Sequence, residues 1–190
     1  MRDPAWKKLR FMNPGRFLLG IEVPVQELGG ISIYDAAKRF NNRQARPIEE
    51  DRRCAILCHG ISVASGRKVL FSSFEASDYD YVLAAEHEGH AHYIPLQMKQ
   101  LVPESKNPTT SLQAEIDKLK KYATSSDLVV AIHINRRVSV DLDKIDVSNL
   151  TIHELWLFGP IASPSGPWCI IGDIKKSNWH AHEFALPLHA

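Results

Sequence analysis

The sequence predicts an α/β chain of the α+β kind, with a mixed β-sheet and helices packed against it. Three observations carry this. Apolar residues recur at helical spacing in two stretches, 48–65 and 110–123. The residues between them fall into short runs of strand character. A later run, 127–135, is apolar almost throughout, as in a strand buried on both faces.

The elements follow in order. Residues 1–34 read as short extended pieces punctuated by Asn13-Pro14-Gly15 and Gly29-Gly30. Residues 35–46 read as a short helix with Asp35 near its start. Pro47 suits a first helical turn, and 48–65 then sets Cys54, Leu57, Cys58 and Ile61 on one face before Ser65-Gly66 ends the helix. Residues 68–76, 79–86 and 90–102 read as three strands, with a turn near Glu88-Gly89. Thr110 to Gln113 resembles a capping box, Thr110 being the cap and Gln113 reaching back. Leu112, Ile116, Leu119 and Ala123 continue that helix, and 127–135 is the fourth strand. Residues 154–161 and 168–174 form a second hairpin around Pro164 to Pro167, and the C-terminal tail packs through Trp179 and Phe184. We read 1–190 as a single domain, with a basic N-terminal extension over 1–46 and an extra hairpin and tail over 150–190.

Composition narrows the class. A hydrophobic fraction of 44% beside 24% charged residues is that of a folded globular chain, not a disordered one. No apolar run reaches the roughly 20 residues that span a bilayer, so no membrane partner is expected. Cys54, Cys58 and Cys169 leave at least one thiol unpaired, which points to a reducing cytoplasm. A net charge of +1 does not mark a nucleic-acid binder, yet residues 1–46 alone carry nine Lys/Arg against four Asp/Glu.

The chemistry concentrates between Tyr79 and Leu101. Side chains alternate along a strand, so Gln97 and Lys99 share one face of the third strand, while His90, His92, Ile94, Leu96 and Met98 share the other. Asp80 heads the second strand. If its face is the one carrying Gln97 and Lys99, a carboxylate, an amide and an ammonium meet. Mg²⁺ takes one or two hard oxygen ligands from a protein and completes its shell with waters and phosphate oxygens. Asp80 and Gln97 would be those ligands. Lys99 would offset the negative charge that grows in a phosphoryl transition state.

In this order of elements, over residues 48–135, the chain resembles the core of the PD-(D/E)XK nuclease superfamily. Tyr79-Asp80 stands at the place of the Pro-Asp pair and Gln97-Met98-Lys99 at that of the Glu-x-Lys triplet. The resemblance implies a restriction-endonuclease-like mixed sheet flanked by helices. It also implies Mg²⁺ (or Mn²⁺) dependence and a DNA substrate. A carboxylate on the preceding helix, Glu49 or Glu50, would join the metal, and Gln113, Lys120 and Tyr122 on the following helix would support it. Two departures are plain: Tyr79 replaces the proline, and Gln97 replaces the acid, whose carboxylate binds Mg²⁺ more strongly than an amide does.

Other readings stand beside this one. A nuclease-fold descendant without catalysis would bind nucleic acid or protein. His87, His90 and His92, with Glu86 or Glu88 nearby, present imidazoles in a pattern that suits Zn²⁺. His180, His182 and His189 are assigned to the tail, and Cys54 and Cys58 to a buried helix face. His133 reads as a core histidine, and Trp156, Trp168 and Trp179 as core or interface anchors. There is no Gly-rich phosphate loop, nucleophile elbow or dinucleotide fingerprint. Monomer and homodimer are both left open.

Overall fold

A computed structural model describes residues 4–25, 30–35, 45–164 and 166–187. Seven strands follow one another in chain order along a mixed sheet: β3 (Val69–Ser73), β4 (Tyr81–His87), β5 (His90–Leu101), β6 (Val129–Ile134), β7 (Glu154–Pro160), β8 (Trp168–Gly172) and β9 (His180–Phe184). A short antiparallel pair, β1 (Pro24–Val25) and β2 (Ile31–Ser32), is separate from it. Among the described residues the main helices are α1 (Pro14–Glu22), α2 (Ala45–Ser65) and α3 (Leu112–Asp117), the last continuing as a 3-10 turn over Lys118–Tyr122. The mixed α/β class expected from the sequence is therefore the one observed. By its contacts the chain forms two compact units, residues 1–73 with 83–93 and 184–190, and residues 74–82 with 94–183.

The first unit is built on α2. Cys54, Ala55, Ile56, Leu57 and Cys58 are all buried along it, so the two thiols are core atoms, as their spacing predicts. Phe17 of α1 meets Phe71 of β3 edge-on at 5.5 Å, and Arg52 pairs with Glu22 at 2.5 Å. At the C-terminal end of α2 the Ser62 hydroxyl donates to Cys58 O and accepts from Val69 N, tying helix to strand. A Cβ on Gly60 would stand 2.6 Å from the Phe184 ring, so only glycine admits that ring.

Part of this unit departs from expectation. Residues 14–22 are helical, not extended. Asn13 caps the helix by accepting from Arg16 N at 3.0 Å, and Pro14 takes the first turn, where its missing N–H costs nothing. Asn-Pro-Gly here starts a helix instead of breaking the chain. Most of the helix expected over 35–46 lies outside the described residues.

In the second unit β5 and β6 run parallel, β6 and β7 parallel, and β7 and β8 antiparallel, the last pair being the expected second hairpin. β6 is buried nearly end to end, as its apolar run requires. α3 crosses from β5 to β6. It places Leu112, Ile116, Leu119 and Tyr122 against Val130, Ile132, Leu155 and Leu157. Its cap is Ser111, not Thr110: Ser111 accepts from Ala114 N, whereas Thr110 donates to the Glu115 carboxylate. Gln113 does not reach back. It holds the backbone of Asp146 through both of its amide atoms.

One further correction concerns the end of the chain. The C-terminal segment is a strand, β9, and not a packed tail; Phe184 is buried but Trp179 is 37% exposed. His133 is buried and stacked on both Phe158 (5.1 Å) and Trp168 (5.7 Å). His189 lies outside the described residues.

Candidate functional site

β4 and β5 are neighbours joined by the two residues Glu88 and Gly89, with φ of 53° and 74°. Positive φ at both positions is the tight hairpin turn whose twist matches that of the strands. The hairpin expected from the sequence is thus present.

It brings Asp80 to Gln97. Asp80 is pinned at the start of β4: its N–H donates to Leu96 O at 3.0 Å and its carbonyl accepts from Phe74 N at 2.9 Å. The approach is anchored in turn by Ser125, whose hydroxyl donates to Asp78 at 2.7 Å. The half-buried Asp80 carboxylate accepts from the Gln97 amide and, more weakly, from Met98 N at 3.4 Å. Gln97 is only 6% exposed. Its other amide atom, Oε1, accepts from the buried Tyr122 hydroxyl at 3.1 Å. Asp80, Gln97 and Tyr122 therefore form one chain of hydrogen bonds across the hairpin into the 3-10 turn after α3.

Lys99 continues this line. Gln97 pairs with Val130 and Lys99 with Ile132 on β6, so both stand on the sheet face that α3 covers. The Lys99 ammonium sits 5.9 Å from the centroid of the Tyr122 ring, and the Lys121 ammonium 4.9 Å from it.

The other sequence candidates fall elsewhere. Gln113 and Lys120 are engaged with Asp117, at 3.2 and 2.9 Å. Lys120 first, then Gln113, holds the Asp117 carboxyl below its ordinary value, and Asp117 raises Lys120 in return. Glu49 and Glu50 lie on α2 in the first unit, where Glu50 faces Arg53 one turn on. His87 and His92 meet with tilted rings, centroids 5.8 Å apart, but His90 turns back to the carbonyl of Glu88 at 2.9 Å. Among the described residues no three of His, Cys, Asp or Glu gather as a metal-holding group.

Comparison with protein families, curated proteins and solved structures finds no match.

Two features escaped the sequence reading. The resemblance implies a supporting role for Tyr122, but not that its hydroxyl bonds the Gln97 amide, a pairing across 25 positions that no local pattern announces. Arg136, just past β6, donates to the carbonyls of Val102, Thr110 and Asn107 and so ties the end of β5 to the start of α3. An open groove of about 940 Å³ lies at the C-terminal ends of β6 and β7, with Asn135, Arg137 and Ile161 in its lining.

The donor set can be weighed against Mg²⁺. One carboxylate and one amide oxygen are hard ligands of the kind this ion takes alongside waters. The Gln97 amide turns its nitrogen to Asp80. A half-turn of that amide would bring Oε1 to the carboxylate, and the Tyr122 hydroxyl can accept from Nε2 as readily as it donates to Oε1. The residues present fit the ion on those terms.

Among the described residues no helix is long and apolar enough to cross a membrane.

Proposed function

We propose that the chain is a Mg²⁺-dependent phosphodiesterase acting on DNA. Asp80 and Gln97 would hold the ion, and Lys99 would serve as the cation of the reaction. The observation that supports this reading is the hydrogen-bonded chain from Asp80 through Gln97 to Tyr122, with the Lys99 ammonium 5.9 Å from the centroid of the Tyr122 ring. A divalent cation, when bound, supplies Lewis-acid stabilisation of charge on a phosphoryl group.

The chain's own residues do the rest. Backbone bonds to Leu96 and Phe74 fix Asp80, so its carboxylate needs little reorganisation to meet a cation. Tyr122 holds the Gln97 amide in one plane. Lys99, on a paired strand and against the ring, presents a positive charge to the oxygens that become more negative as the bond breaks. Burial of Gln97 and Tyr122 lowers the local dielectric and strengthens each of these interactions.

The test is release of fragments from linear and circular DNA in Mg²⁺ or Mn²⁺. Unit charges at ~4 Å attract by about 4 kcal/mol at an effective dielectric near 20. Loss of part of that in Lys99→Ala slows cleavage by about one to two orders of magnitude, at roughly 1.4 kcal/mol per tenfold. Asp80→Asn is at least as damaging. Wild-type cleavage that survives both substitutions places the activity elsewhere. No cleavage of any DNA or RNA points instead to a nuclease-like chain that binds without catalysis, a reading favoured by the neutral Gln97.

A further inference from the structure

Lys121 has no place in the chemistry above, yet it lies closer to the Tyr122 ring than Lys99 does. Its neighbours in the 3-10 turn are neutralised. Lys118 pairs with Glu115 at 2.7 Å and Lys120 with Asp117 at 2.9 Å. Among the described residues neither Lys99 nor Lys121 has a carboxylate within ion-pair distance; what each meets is the face of one tyrosine. Two uncompensated ammoniums are thus held around a single buried ring. Their distances from its centroid put them no more than about 11 Å apart.

Such a pair carries a modest repulsive cost in solvent and forms a local positive patch that draws an anion. A tyrosine ring offsets part of the cost through its quadrupole, and it aims both side chains without consuming their charge. Within that ceiling the two can reach successive phosphates of one strand, which rise about 3.4 Å each along a duplex axis.

We propose that Lys121 is a phosphate-positioning residue. It binds a phosphate neighbouring the one addressed by Lys99, so that the site takes a polynucleotide strand and not a lone mononucleotide or inorganic phosphate. This rests on the phosphodiesterase reading for the role of Lys99, but it concerns binding and is tested without cleavage.

The experiment measures binding of fluorescent 20-mer oligonucleotides, single- and double-stranded, to the full chain by anisotropy. EDTA or Ca²⁺ replaces Mg²⁺, and the salt concentration is varied. Inorganic phosphate and a nucleoside monophosphate serve as competitors. Lys121→Ala and Lys121→Gln should weaken binding to about the same degree for every sequence. They should flatten the slope of log K against log salt by about one unit for a duplex, or about 0.7 for a single strand. Lys121→Arg should restore both, since it keeps the charge. Neither competitor should displace the oligonucleotide at millimolar concentration. An unchanged salt slope in Lys121→Ala, oligonucleotide binding absent from the wild type, or displacement by the monophosphate alone would each overturn the proposal. Salt-slope loss with no cleavage under any condition would retain the phosphate site and remove the catalytic reading. Cleavage with an unchanged slope would do the reverse.

Discussion

Replacing Gln97 by glutamate tests the site without requiring turnover. The new carboxylate would face Asp80 where an amide now donates to it, in a position 6% exposed. At ~4 Å and an effective dielectric near 20, two such charges repel by about 4 kcal/mol. Protonation limits the cost. Raising one carboxyl from about 4.3 to about 7 dissipates the repulsion at roughly 1.36 kcal/mol per unit, so the ceiling at pH 7 is about 3.7 kcal/mol. At pH 5 the same ceiling is about 1 kcal/mol. The sign follows: a carboxyl whose folded pKa is raised destabilises as pH climbs past its unfolded value. For a chain of this size each kcal/mol moves Tm by about 2–4 °C. Gln97→Glu in EDTA should therefore melt roughly 7–15 °C below wild type at pH 7 and within about 4 °C of it at pH 5.

Mg²⁺ should reverse the loss. Ligand at about a hundred times its Kd contributes roughly 2.7 kcal/mol, which recovers most of the deficit. Asp80→Asn combined with Gln97→Glu should also recover stability, because the pair then carries one charge. The assay is thermal melting by circular dichroism at both pH values, with EDTA or Mg²⁺. An undiminished Tm at pH 7 in EDTA would show that the two side chains do not oppose each other as described. A drop that Mg²⁺ leaves untouched would refute the metal site while leaving the geometry intact.

Three further outcomes are expected. Glu88 carries a φ of 53° that side-chain-bearing residues adopt at a cost, so Glu88→Asn should stabilise the chain by about 0.5–1 kcal/mol, seen as a higher urea midpoint with an unchanged m-value. Cys54 and Cys58 are fully buried, and burial, then the Glu183 carboxylate, push the Cys169 thiol up against the opposing His182 backbone; native chain at pH 7 should thus show at most one slowly reacting thiol to a disulfide reagent, and three once unfolded. The Ser148 hydroxyl, then its backbone N–H, hold the Asp146 carboxyl below its ordinary value, so this contribution is complete above about pH 4 and is lost as pH falls below it; the Tm difference between wild type and Ser148→Ala should be present at pH 7 and absent near pH 2.

What the sequence made legible was what periodicity encodes. The β4–β5 hairpin was readable because alternation on both strands meets a turn whose glycine allows positive φ. The buried β6 was readable because no polar side chain interrupts it before His133. The errors came where one residue type has two uses. Asn13-Pro14 can break a chain or cap a helix, and packing of Leu18 and Ile21 decides for the helix. Thr110 and Ser111 are both competent caps, and only the extended backbone at Ser111 brings its hydroxyl to Ala114 N. In the site, spacing put Gln97 and Lys99 on one face and left open whether Asp80 joins them, and it did not say which atom of the Gln97 amide meets Asp80. That is set by Tyr122, whose position depends on the path of α3.

The register of the hairpin carries the site, and the turn and Pro95 guard it. The turn joins His87 to His90, and at the far end of the hairpin the Asp80 N–H donates to Leu96 O, which brings Asp80 beside Gln97. A slip of one residue would turn Gln97 and Lys99 to the opposite face, away from Tyr122. The tight turn resists that slip on the β4 side. On the β6 side the guard is Pro95. Leu96 points its backbone groups at Asp80, so those of Pro95 point toward β6, and the β5–β6 ladder begins only at Leu96 against Val129. The missing N–H of Pro95 therefore falls one position before the first pair, where it costs nothing. Extending the ladder by sliding β6 back along β5 would place that vacancy inside it, at the cost of a hydrogen bond. A proline that would weaken a central strand elsewhere here restricts β5 to the single register in which its polar residues meet.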